Sequence, residues 1–123
     1  MTAPNLLLPG SILGKTTYLT LADTNETDLL VNASGSDTAM RVTNLMAANI
    51  DGSGAADITA TLYTAASGGT GYAIASTVSV PADSTMVILT RENGFWLEED
   101  RRITVQASAS GDLSVICSYE EVT

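Results

Sequence analysis

Histidine is absent from the 123 residues. With it go the commonest general base, the Ser-His and Cys-His nucleophile pairs and the usual zinc ligand. The single cysteine, Cys117, cannot form an internal disulfide, and its place in an alternating segment marks it as a small buried hydrophobe rather than a reactive thiol. Lys and Arg total 5 against 14 Asp and Glu, a formal charge of −9. That balance disfavours phosphate backbones, which are bound by neutralising them with basic side chains, so nucleic acid is not expected as a partner. No run approaches the roughly 18 apolar residues of a membrane span. The opening Met1–Pro9 lacks a basic region and is too short for a signal peptide. The expectation is a soluble protein made in a cytoplasm, with no membrane partner. Aromatic residues make up only 5% while hydrophobic residues reach 45%, so the core of this single domain must come from Val, Ile, Leu and Ala.

What is present is period-2 alternation. Ile103, Val105, Ala107 and Ala109 recur at every second position, and after Ser110-Gly111-Asp112 the pattern resumes with Leu113, Val115, Cys117 and Tyr119. One face of each segment is therefore expected on a core. Gly111-Asp112 reads as a hairpin tip joining strands 103–109 and 113–119. Similar segments run through the chain: Lys15–Ala22, Asp28–Val31, Met40–Ile50, Asp57–Thr64, Ile74–Val80 and Met86–Leu89. In Met40–Ile50, Val42, Met46, Ala48 and Ile50 share one phase while Leu45 and Ala47 take the other, the pattern of a central strand covered in part on both sides. Asp57–Thr64 and Ile74–Val80 are expected to pair across the Gly-rich loop 67–71. The fold class is all-β: an antiparallel β-sandwich, jelly-roll or Ig-like, of about eight strands over residues 11–123.

Residues 1–10 stand apart as an extended N-terminal arm. Pro4 and Pro9 bracket Leu6, Leu7 and Leu8 and exclude helix and central-strand pairing. The leucines either pack on their own domain or dock on a neighbouring subunit.

No catalytic, cofactor or metal site is expected, and the chain is not read as an enzyme. Asp51-x-Ser-x-Ala-x-Asp57 resembles half a calcium loop, but Leu62 stands where the bidentate Glu belongs and Ala56 where Gly is required. Gly52-Ser-Gly54 and Ser67-Gly-Gly69 lack the helix and lysine of a phosphate cradle. Glu98, Glu99 and Asp100 are sequence neighbours rather than acids facing each other across a cleft; with Arg101 and Arg102 they read as a charged turn whose members can orient a partner. Tyr63 lies on the polar face of its strand, and Phe95 and Trp96 cannot both enter one core. Aromatics of this kind are enriched at interface centres. The candidate partner interface is therefore Leu6, Leu7, Leu8, Tyr63, Phe95, Trp96, Glu98, Glu99, Arg101 and Arg102.

Three segments carry a resemblance: Asn44–Tyr63, with its Asp51-Gly52 turn; Ile74–Thr85, with Val80-Pro81-Ala82; and Phe95–Glu121, ending Ser118-Tyr-Glu-Glu121. Together, over residues 40–121, they resemble small β-sandwich virion structural proteins of tailed bacteriophages, particularly of marine and cyanobacterial hosts. In that family the acidic turn is Glu-Glu-Gly-Asp; here it reads Glu98-Glu99-Asp100-Arg101, without the glycine. The resemblance implies a non-enzymatic virion component present in several copies, a homo-oligomer whose other partners are virion proteins, major capsid or connector. A head-associated decoration or cement role is favoured because the single short domain has no coiled-coil or repeat shaft. The alternatives are a neck or connector component, or a receptor- or glycan-binding module of a tail or head fibre.

Overall fold

The computed structural model describes residues 3–123; Met1 and Thr2 of the arm lie outside the described residues. Nine strands and no helix are found there: β1 (Ile12–Thr20), β2 (Thr27–Asn32), β3 (Ala39–Asn49), β4 (Ala56–Tyr63), β5 (Gly71–Val80), β6 (Thr85–Leu89), β7 (Trp96–Leu97), β8 (Arg101–Ala107) and β9 (Leu113–Val122). One sheet, here sheet A, has the order β1-β9-β3-β6, and β7 shares with β6 the same edge of β3. Sheet B has the order β2-β8-β4-β5, and every pairing in both sheets is antiparallel. These two interleaved orders are those of a jelly roll, one of the two sandwich types the sequence allows. The ninth strand, beyond the eight legible in sequence, is the two-residue β7.

The terminal hairpin is corrected. β8 and β9 do not pair: β8 lies between β2 and β4 in sheet B, and β9 between β1 and β3 in sheet A. Residues 108–112 form an arch from one sheet to the other. Ser108 N–H donates to Asp57 O at the sheet B end, and Ile50 N–H donates to Asp112 O at the sheet A end. Gly111 has φ +74 within that arch. Alternation cannot distinguish arch from hairpin, because either way each strand turns one face to the same core. The pairing of β4 with β5 is as the sequence indicates, with Ile58 opposite Val78. Ile58, Val80, Ile103, Val105, Leu113, Val115 and Cys117 are all fully buried, while Leu62 and Val78 pack on the core half-buried.

The phase of β3 is also corrected. A bulge between Val42 and Asn44 inserts one residue against β9. Met40 and Val42 face inward before it, and Leu45, Ala47 and Asn49 after it. Met46, Ala48 and Ile50 therefore lie on the outer face of sheet A. The double phase marks this bulge, not a strand covered on both sides.

Two buried asparagines tie the sheets together. Asn32 of β2 donates from Nδ2 to Leu97 O of β7 at 3.0 Å, and Asn49 of β3 donates from Nδ2 to Val80 O of β5 at 2.9 Å. Both make further hydrogen bonds to nearby turns, Asn32 to Thr38 O and Asn49 to Gly54 O, so neither leaves its amide unsatisfied in the core.

Candidate interaction surface

The arm leaves Leu7 and Leu8 almost wholly in water, while Leu6 rests in part on its own domain. Leu6, Leu7 and Leu8 are 57%, 89% and 80% exposed. A turn closed by Leu8 N–H to Asn5 O holds them, and Gly10 N–H, donating to Thr123 O at 2.7 Å, fastens the arm to the C-terminal end of β9. Its first described residues lie against the end of sheet A. Ala3, Pro4 and Leu6 line a recess of about 150 Å³ with Ala39, Trp96 and Glu98. Leu6, Trp96 and Glu98, distant in sequence, thus line one recess.

The remaining candidates are placed elsewhere or used internally. Phe95 is half-buried against the core and accepts the Val42 N–H on its carbonyl at 2.8 Å. Trp96 lies beneath the Arg41 guanidinium, 5.7 Å from the ring centroid. Glu98 pairs loosely with Arg101 at 3.8 Å, and Arg101 also donates to the carbonyl of Asp100 at 3.0 Å. Glu99 is buried, and its carboxylate oxygens accept the backbone N–H groups of Gly35 and Asp37. Asp100 takes φ +60 at the position where the resembling family carries glycine; aspartate is among the few residues that tolerate this region. Its Oδ1 accepts the Ala66 N–H.

Tyr63 and Arg102 face each other across β4 and β8, on the outer face of sheet B. The guanidinium stacks on the phenol ring at 3.9 Å, pairs with Asp28 at 3.3 Å and donates to the carbonyls of Ala65 and Gly68. The Tyr63 hydroxyl donates to Glu26, a hydrogen bond that pushes the phenol above its usual pKa. Thr104 donates to the same carboxylate, and Gln106 to Thr24 O. Loop 23–26 therefore lays a polar network over sheet B.

The outer face of sheet A is different, and sequence reasoning passed over it. The register places Tyr18 opposite Ile116, Ile116 opposite Met46, and Met46 opposite Val87. These four residues make one apolar row across all four principal strands. Tyr18 is 76% exposed, Val87 50% and Ile116 39%. On one side the row is bordered by Thr20 and Ser114, whose hydroxyls hydrogen-bond at 3.2 Å, followed by Ala48 and Thr85. On the other it is bordered by Thr16 and Ser118, bonded at 3.1 Å, and by Asn44, whose buried Oδ1 has no partner. No residue of these three rows is charged. A groove of about 430 Å³ runs along the row's β1–β9 side. Each member sits in a different strand, spaced like an ordinary outward-facing residue, so no local pattern announced it.

No protein-family model matches this chain, and no curated protein does. Solved structures to which the chain is similar include the following two. One is of Bacillus endospore appendages, described as disulfide-linked pili, with a TM-score of 0.53, 15% identity, and coverage of 99% of this chain and 98% of that one. The other is of infectious bursal disease virus, Gx strain, with a TM-score of 0.46, 15% identity, and coverage of 89% of this chain and 33% of that one. At this identity the likeness of the first describes the fold.

Proposed function

We propose that this chain is a non-enzymatic structural subunit of a larger assembly, attached through its N-terminal arm, and that the assembly is a tailed-bacteriophage particle on whose head the domain binds capsid subunits as a decoration or cement protein. The observation that carries the reading is the exposure of Leu6, Leu7 and Leu8 on an arm fastened to the domain at Gly10. Three adjacent leucines held in water are the mark of a contact to be made with another molecule. The sequence resemblance over residues 40–121 supports the phage setting, and a sandwich fold shared with a pilus subunit is compatible with work in a polymer. The endospore appendages are disulfide-linked; here the one cysteine of the sequence is buried in the core, so copies would be held by non-covalent contacts.

The test is to tag the protein and locate it on purified particles by electron microscopy, alongside binding of the isolated protein to empty heads. Regular label over the head, with saturable head binding, is the expected result. Label confined to the neck or to fibre tips, or binding to host cells or a glycan array instead of heads, would replace the decoration role with the corresponding alternative. Particles without the protein would end the virion reading.

A further inference from the structure

The apolar row on sheet A and the leucine arm are both apolar and both exposed to water. Both are uncharged in a chain whose net charge is −9, the first charged side chain in the sequence being Lys15. Two copies of so acidic a chain repel one another over most orientations, and an arm laid on a row is a contact made through uncharged side chains.

The arm cannot serve its own row. Gly10 is bonded to Thr123, seven residues along the chain from Ile116. At about 3.4 Å per strand residue that is about 24 Å. Leu6 is four residues from Gly10 and reaches at most about 14 Å even when extended; the turn at Asn5–Leu8 shortens that.

We infer that the arm of one copy docks its leucines on the Tyr18–Ile116–Met46–Val87 row of a second copy, joining copies head to tail. This rests on the reading of the chain as an assembly subunit present in several copies and adds to it which two surfaces join them. Donor and acceptor are different patches of one molecule, so the contact is heterologous and propagates into a ring or a filament instead of closing as a two-fold dimer. The three rows across four strands cover on the order of 300 Å² per partner, against about 800 Å² in a standard stable interface. A lone pair therefore dissociates readily, and the contact acts where many copies are held together.

The test uses the full chain. In a nuclear magnetic resonance series from about 0.05 to 1 mM, a range that reports weak association, the signals of Tyr18, Met46, Val87 and Ile116 shift together with those of Leu6–Leu8. Higher salt strengthens the effect by screening the repulsion between acidic copies. An arm variant, Leu7→Asp with Leu8→Asp, and a row variant, Tyr18→Asp, each lose these shifts when alone. Mixed, with one partner isotope-labelled at a time, the two restore them: at the row of the arm variant and at the leucines of the row variant, with the mass stopping at two copies. Val87→Asp, at the opposite edge of the sheet, repeats the experiment should Tyr18→Asp disturb the fold. Concentration-independent spectra of the unmodified protein would overturn the inference, as would weakening by salt or self-association by the arm variant alone, which would mean that rows pair face to face. Head binding by a protein that stays monomeric would leave the assembly reading standing without this contact; self-association without head binding would do the reverse.

Discussion

Glu99 Oε2 accepts the backbone N–H of Asp37 at 2.7 Å, across 62 residues of sequence. Its other oxygen accepts the Gly35 N–H at 3.0 Å, so one buried carboxylate organises the whole β2–β3 turn. Glu99→Ala is expected to strand both donors and cost about 2–3 kcal/mol, with Glu99→Gln, which keeps one acceptor, costing about half as much. Urea unfolding with an unchanged slope checks this; an Ala variant as stable as the parent would refute the role.

Gly94 is required by close approach. A Cβ there would lie 2.1 Å from the carbonyl oxygen of Val42, a backbone atom held in the centre of sheet A. Gly94→Ala must displace β7 from β3, and a loss of about 3 kcal/mol is expected. Trp96 would move with β7, so its fluorescence maximum should shift to longer wavelength in the still-folded variant.

Burial pushes the Cys117 thiol up to about 12 from its ordinary 9.0. The thiol therefore stays protonated in the folded protein at pH 8, and alkylation should proceed only through unfolding, at a rate that falls as stability rises. The same shift has a definite sign in stability. The folded state holds this proton more tightly than the unfolded state, so the contribution is complete below pH 9 and is lost as the pH rises toward 12. Burial raises the Tyr119 phenol as well, in the same alkaline direction. Stability should decline steadily above pH 9, and Cys117→Ala should remove part of that slope while lowering stability at neutral pH.

Asn44 has a buried Oδ1 without a partner beside the apolar row. Asn44→Val replaces it with a β-branched residue suited to a strand and is expected to stabilise by about 1 kcal/mol, raising Tm by about 4 °C in thermal unfolding. A lower Tm would mean that the amide has a role its contacts do not display.

Leu7 and Leu8 are so exposed that changing both to Asp should leave stability within about 0.5 kcal/mol. Weakened assembly or attachment to heads with an unchanged Tm is the expected pair of results. A much lower Tm would return the leucines to the domain's own core.

Much of the fold is legible because a sheet that buries one face writes period 2 into its sequence. Leu113, Val115 and Cys117 were assigned inward from that pattern, and all three are fully buried. The leucines of the arm stand out because Pro4 and Pro9 exclude them from a helix or a central strand. Glu99 was less transparent. Among charged neighbours it reads as another surface acid, and only the fold brings Gly35 and Asp37 over it.

The amino-acid sequence by itself thus determined the class of structure, since alternation, scarce aromatics and frequent turns leave an antiparallel sandwich as the way to bury this chain. It also set the chemistry available, through the missing histidine, the single cysteine and the excess of acid. Tertiary structure alone decided which strands are neighbours. β8 and β9 are adjacent in sequence yet lie in opposite sheets, because an arch and a hairpin impose the same periodicity on their flanking strands. The bulge in β3 turned Met46 outward, and long-range register then set it between Ile116 and Val87. A surface built from one residue of each of four strands has no local signature, because the hydrogen bonds that align those strands join residues far apart in the chain.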